Sequence, residues 1–346
     1  MWSLTWHEDV LCEVNGEGGQ ITSLVFLPDG RQLASACKDD SAIRLWSVEH
    51  GREVEPPMNH GVAVSAIAAS KDGKWIVSGG LDGNVVIWNT TSHQKEGKSS
   101  ESHELKITAL DVSPDSLRVV SGSDDGAIMV WRIDSQPALH LELCPLGHQP
   151  EDSSDTSPVS SVKFSPAGGR IASGYIRSGY YTIRIWHSRT GDQLASISTD
   201  GQSTRSLAWS SDGRRLFTGG PHGSIKCFDI MTQRCLAKWE DPQSDVITSL
   251  LVSDTGQFLI SGSASGRTIG IWDIRDISTC KLLHSYRRSD VLSAAISPNE
   301  LYLVSGGKDR KIYRRCLSKV VERSYFFHVS IHHPHELIIF SPLLST

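Results

Sequence analysis

The chain has 346 residues, 38% hydrophobic and 21% charged, with a formal net charge of −5. That is enough for one large core or two smaller ones, and too acidic for a general nucleic-acid binder. Its 7 cysteines form no C-x-x-C pair, no apolar run reaches spanning length, and no basic segment leads into an apolar core at the start. Those features argue against a disulfide framework, a zinc ribbon, a membrane helix and a secretory signal. The expectation is a soluble protein of a reducing compartment, cytoplasmic with the nucleus also open.

In chain order, the first feature is Trp2 followed by VLCEV at 10–14, read as the end of one strand and then another strand. From Ile21 onward one pattern recurs. An apolar run leads to a Ser/Pro/Asp/Gly turn, then to a second run rich in Ser and Gly, a tight turn, and a third run closing on Trp. Alternation bounded by such turns predicts short strands joined as hairpins. The clearest copy is 107–131, ITALDVSPDSLRVVSGSDDGAIMVW. Copies begin at Ile21, Val64, Ile107, Val159, Thr204, Ile247 and Val291, spaced by 43, 43, 52, 45, 43 and 44 residues. This period predicts one four-stranded propeller blade per copy.

The recurring period and closing Trp resemble WD40 repeats over about 2–316. The resemblance implies an all-β, seven-bladed propeller over 1–316, with the N-terminal strand completing the last blade, and 317–346 as an extra hairpin or partial repeat. The alternative is eight blades, the last incomplete, because 327–341 matches the first half of another copy. A half-repeat at each end also fits a piece cut from a longer tandem array.

The resemblance further implies a buried relay in each blade, from a His through a Ser/Thr and an Asp to the Trp. Its logic is physical, since a buried indole N–H needs an acceptor and a buried carboxylate needs donors. Copy 2 carries His60, Ser78, Asp82 and Trp88, and copy 3 carries His103, Ser121, Asp125 and Trp131, at identical spacings. Copy 1 keeps Ser35, Asp39 or Asp40, and Trp46. Copy 4 keeps Ser173 and Trp186, and copy 6 keeps Ser261 and Trp272. Copy 5 has Thr218, His222 and Phe228, and copy 7 has Ser305, Asp309 and Arg315. Blades 2 and 3 are therefore expected to be the most rigid and blades 5 to 7 softer. The relay residues are read as structural, and no catalytic residue is assigned.

Partner-binding candidates come from the departures. The lengthened turn 175–181 (YIRSGYY) brings Tyr175, Ile176, Arg177, Tyr180 and Tyr181, residue types enriched in binding hot spots. Leu81, Arg287, Arg288 and Lys308 are expected near the same face. Arg310, Lys311, Arg314 and Arg315 read as charge protecting an edge strand. The segment 147–158 reads as an acidic surface loop. The tail histidines His328, His332, His333 and His335 have no Cys or Asp close by and read as chance rather than as metal ligands. Cys227 and Cys235 are expected to face each other as reduced packing residues. No P-loop, nucleophile-elbow or H-E-x-x-H motif occurs, and no cofactor or metal is expected. The function that follows is a non-catalytic protein-interaction scaffold, monomeric unless part of a larger complex, with protein or peptide partners, no membrane and no nucleic acid. The alternative is a ligand-sensing fragment of a fungal NACHT-type NTPase, which the repeat style resembles.

Overall fold

The computed structural model describes residues 9–13, 19–38, 40–134, 139–146, 157–176, 182–287 and 290–317. Within them lie seven antiparallel sheets of four strands, called a to d from the centre outward. Blade 3 shows the unit: a is Ile107–Val112, b is Arg118–Ser123, c is Ile128–Ile133 and d is Leu139–Leu146. Polar turns set the hairpins. In the a–b turn Ser113 Oγ accepts from Arg118 N at 2.9 Å and Asp115 Oδ1 from Leu117 N at 3.1 Å. The same Ser-x-Asp device recurs at Ser70/Asp72 and Ser210/Asp212. These side chains mimic the backbone bonds a tight turn needs.

The seventh blade settles the blade count. Val291–Ile296, Tyr302–Gly307 and Lys311–Cys316 supply strands a to c, and Asp9–Glu13 pairs antiparallel with Lys311–Cys316 as strand d. Val10 lies opposite Tyr313, with an irregularity between Val10 and Cys12. Blade 7 then packs directly on blade 1. Ala295, Val304 and Ile312 share one core with Ile21, Leu24 and Trp46, and Leu24 N donates to Ser293 Oγ at 3.0 Å. That contact closes the ring at seven and leaves no gap for an eighth blade between them. It also corrects the edge-strand reading of Arg310 to Arg315, since Lys311–Cys316 is paired on both sides. Arg314 donates to Val48 O of blade 1, and its guanidinium lies 5.4 Å from the Tyr302 ring centroid. The tail 318–346 and its histidines lie outside the described residues, as does most of 147–158.

Two features hold neighbouring blades together. Every strand b except that of blade 1 carries a Gly where the next blade presses in, with the first residue of strand a in five cases and with Thr204, just before strand a, in blade 5. A Cβ on Gly306 would stand 2.9 Å from Ile21 Cγ2, too close for a side chain. The second is a ring of hydroxyls around the central channel. Thr22 Oγ1 donates to Val64 O at 3.3 Å, Thr108 Oγ1 to Val159 O at 2.5 Å and Thr248 Oγ1 to Val291 O at 2.6 Å. Ser65 and Ser160 bond Ile107 O and Thr204 O in the same way. Blades 5 and 7 have Arg205 and Leu292 at that position. There the next residue takes over: Ser206 Oγ accepts from Leu250 N at 2.9 Å, as Ser293 does from Leu24. All seven junctions thus carry at least one hydroxyl tie, each contributing about 0.5–1.5 kcal/mol net.

Candidate functional site

Strand c delivers the Trp and strand b the hydroxyl beneath it. The indole N–H of Trp46, Trp88, Trp131, Trp186 and Trp272 donates to Ser35, Ser78, Ser121, Ser173 and Ser261 at 2.8–2.9 Å. Blade 3 completes the expected relay. Asp125 Oδ2 lies 3.1 Å from His103 Nδ1, and His103 Nε2 lies 2.7 Å from Ser121 Oγ. A carboxylate only accepts, so it takes the Nδ1 hydrogen and leaves Nε2 to accept from the serine hydroxyl. Burial pushes the Asp125 carboxyl up. The bonds from His103, Ala127 N and Glu104 N outweigh that and hold it below the usual carboxylate range.

Blade 2 departs from expectation. His60 Nδ1 sits 2.8 Å from Ser78 Oγ, but Nε2 is 3.7 Å from Asp82 and has no hydrogen-bond partner. The relay there stops at the imidazole. Asp82 is held instead by the backbone and side-chain nitrogens of Asn84, two residues on. The residue two beyond Asp125 is Ala127, which offers only its backbone N–H. Burial, opposed by the Asp82 charge, keeps the His60 pKa below its ordinary 6.5.

Blades lacking the full set fill the place in other ways. In blade 1 Asp40 pairs with Arg44 at 3.3 Å. In blade 7 the Tyr313 hydroxyl donates to Asp309 at 2.7 Å. In blade 5 the buried Lys226 ammonium donates to Thr199 O at 2.8 Å and Asp200 at 3.1 Å, tying strand c to blade 4. Its sequence signal was a single Lys between Ile225 and Cys227 on strand c. Cys227 lies opposite Ala237 and Cys235 opposite Phe228, so the two thiols do not face each other. Burial pushes the Cys227 and Cys280 thiols up to about 12, which keeps them protonated.

The d–a and b–c loops emerge together on one face, where six blades repeat one bond. The first residue after strand b donates its N–H to the d–a loop: Lys38 to Gln20, Leu81 to Ala63, Asp124 to Lys106, Ile176 to Pro158, Ala264 to Val246 and Lys308 to Asp290. The backbone is constant and the side chain changes, giving a ring of positions whose chemistry varies freely. Leu81 is 53% exposed on it. Leu105, also 53% exposed, belongs to the adjoining loop, whose Leu105 and His103 carbonyls press against Gly83 of the Leu81 turn. Lys308 is exposed and pairs with Asp290, which also holds Arg267 at 3.2 Å. Ile176 is half-buried. Arg287 ends strand d of blade 6 at this face.

Tyr175 is a correction. It is the last residue of strand b, buried in the core between blades 3 and 4, with its hydroxyl 3.3 Å from Ser173 Oγ and the Arg184 guanidinium 5.4 Å from its ring centroid. A ring that shares the relay serine cannot also meet a partner. Arg177, Tyr180, Tyr181 and Arg288 lie outside the described residues.

The central channel, about 560 Å³, is lined by the a strands of all seven blades. Its hydroxyls other than Ser161 bond across the blade junctions. Of its charged groups, Lys163 and Asp111 pair at 3.0 Å, and Asp111 also accepts from Phe164 N at 2.8 Å. Among the described residues no group of three His, Cys, Asp or Glu side chains is arranged to hold a metal, and no helix is long and apolar enough to cross a membrane.

A family model described as WD domain, G-beta repeat matches residues 8–47, 57–89, 95–132, 146–187, 190–229, 233–273 and 280–313. Among curated relatives, the U3 small nucleolar RNA-associated protein 15 homolog of Xenopus laevis is 32% identical over 174 residues, covering 49% of this chain and 32% of that protein. The pre-mRNA-processing factor 19 homolog 2 of Arabidopsis thaliana is 28% identical over 132 residues, covering 38% of this chain and 24% of that protein. The chain thus matches about a quarter to a third of the length of these relatives. Among solved structures, U3-55K superposes with a TM-score of 0.74 at 21% identity, covering 88% of this chain and 97% of that one. The RRP9 WD40 repeats give 0.75 at 21% identity, covering 88% and 96%. Each of the seven matched segments carries strands a to c of one blade, preceded by all or part of strand d of the blade before it; together they take up most of the sequence, and the chain belongs to the WD40 repeat family.

Proposed function

We propose that the protein is a non-catalytic interaction platform that works as part of a larger protein assembly. The observation that carries this reading is the division of labour in each blade. The relay imidazoles His60 and His103 are bonded to the serines under the tryptophans, and the Asp125 carboxylate is bonded to His103. The positions that vary from blade to blade stand on the loop face, where Leu81 and Leu105 are exposed on adjoining loops. Exposed apolar side chains with a polar surround fit a protein contact. We place the turn 176–181, Arg287, Arg288 and Lys308 on the same contact surface. The relatives carry names from nucleolar RNA and pre-mRNA processing rather than NTPase sensing, which favours a platform over a NACHT-type sensor. They also favour the nucleus over the cytoplasm as its compartment.

The test is affinity capture from nuclear extract with the wild-type chain, Leu81→Glu/Leu105→Glu and Tyr180→Ala/Tyr181→Ala, each checked for an unchanged melting temperature. The platform reading expects a defined set of proteins that the leucine pair loses. Retention of every partner by both variants would show that the loop face is not the contact surface.

A further inference from the structure

The opposite face carries the a–b and c–d turns, and there blades 4 and 5 bring five arginines to one stretch of rim. Arg170 and Arg215 open strand b of their blades, Arg214 precedes it, and Arg189 and Arg234 lie in the c–d turns. The backbone makes this one patch. Ser188 N bonds Gly169 O, Ile230 N bonds Arg214 O, and Asp229 N bonds Arg234 O, so each c–d turn lies against the start of strand b. The blades meet where Arg170 Nη2 reaches Met231 Sδ at 3.8 Å.

None of these five guanidinium groups has a carboxylate within 4 Å among the described residues. Arg118, at the same strand-b position in blade 3, is held by Glu142 at 2.7 Å. The four carboxylates nearby serve their own turns: Asp115 of blade 3, within reach of the Arg189 charge, accepts from Leu117 N at 3.1 Å. Thr190 Oγ1 donates to Asp192 at 2.6 Å, Arg214 N to Asp212 at 3.0 Å and Thr232 N to Asp229 at 2.6 Å. Five positive charges against four leave the rim slightly positive on a chain of net charge −5, and none of the five is held in an ion pair among the described residues. Met231 stands among them, 73% exposed.

We propose that this rim docks an acidic peptide segment, its carboxylates on the arginines and an apolar side chain against Met231. Arginine is suited to carboxylates because its planar fork accepts them in pairs, and methionine adapts to apolar side chains of varied shape. No exposed aromatic ring lies among the named residues of the rim to stack a base, whereas Met231 offers an apolar contact, so a peptide fits better than a nucleic acid. The proposal extends the platform reading to a second face and names the partner's chemistry.

The experiment is fluorescence anisotropy with the full chain and a short labelled peptide in which glutamates flank a Leu-Phe pair. A peptide with lysines for the glutamates and an oligouridylate RNA are the comparison probes. The glutamate peptide is expected to bind, to weaken as salt rises, and to lose affinity about tenfold or more in Arg214→Glu/Arg234→Glu. Met231→Ser is expected to weaken it by a smaller factor, and the lysine peptide is expected not to bind. Arg214, Arg234 and Met231 are exposed, and an unchanged melting temperature confirms that the variants fold. Absence of binding, binding untouched by the charge reversal, or an RNA signal that alone responds to it would each overturn the proposal. Leu81→Glu/Leu105→Glu should leave peptide binding intact, so failure here and failure of the loop-face platform are separately visible.

Discussion

At the scale of single residues, the two relays that look identical in sequence are separated by one side chain. Spacing from His to Asp is the same in blades 2 and 3, yet Asn84 captures Asp82 where Ala127 leaves Asp125 to His103. Removing Asp125 strips an acceptor from a buried imidazole N–H and should cost about 1–3 kcal/mol, whereas Asp82→Ala should cost less. Urea unfolding of the two variants at neutral pH measures both. Asn84→Ala should release Asp82 toward His60 and raise the His60 pKa, which the imidazole proton shifts report in an NMR titration. An unmoved titration would mean Asn84 is not what holds the carboxylate away. In the wild type the folded His60 pKa lies below its unfolded value near 6.5, so the unfolded chain binds the proton more strongly. Stability from this group is present above pH 6.5 and is lost as pH falls from there toward the folded pKa. The melting temperature should fall less steeply with acidification in His60→Asn than in the wild type.

At the scale of elements, the strands and turns were legible because each copy repeats the alternation and the punctuation. The terminal strand was legible too: the predicted 10–14 lies within one residue of Asp9–Glu13. The contacts between blades were not legible. Thr22, Ser65 and Thr108 reach carbonyls 42, 42 and 51 residues away, and a Ser or Thr early in a strand reads as ordinary alternation. Tyr175 was misplaced for a related reason: where strand b ends inside a lengthened turn depends on pairing with Val159, which no local pattern records. The closure deserves a direct measurement. Leu11, buried at blade 7, contributes its carbonyl to the packing against Gly51 and its side chain to the core shared with blade 1. Leu11→Asp should displace Asp9–Glu13 and expose one side of Lys311–Cys316 as a free edge. Light scattering during chromatography should then show association that the wild type lacks. Gly306→Val, which forces a side chain into Ile21, should cost about 1–3 kcal/mol by overpacking without freeing that edge. If Gly306→Val associates as readily as Leu11→Asp, association reflects general loosening rather than the uncovered strand.

At the scale of the whole molecule, the ring has a gradient of restraint from channel to rim. The a strands are tied to the next blade by hydroxyls at all seven junctions, and the b strands pack against them through the glycines. The d strands face solvent. In blade 5, strand d (Cys235–Glu240) is exposed at four of six positions, and beneath it Phe228 replaces the tryptophan, so no indole bond pins strand c to Thr218. A closed ring cannot lose one blade without breaking two junctions, so full opening of any a strand requires global unfolding, while d strands open locally. Hydrogen exchange followed by mass spectrometry should therefore show the slowest exchange in strands a and b of blade 3, where the relay is complete. Strand d of blade 5 should exchange orders of magnitude faster, at a cost well below the global unfolding free energy. Strand a of blade 5, held through Ser206, should nonetheless exchange with the strand a peptides of other blades. If strand a of blade 5 exchanges with its own strand d instead, the blade opens as an independent unit, and the hydroxyl ties do not make the ring cooperative.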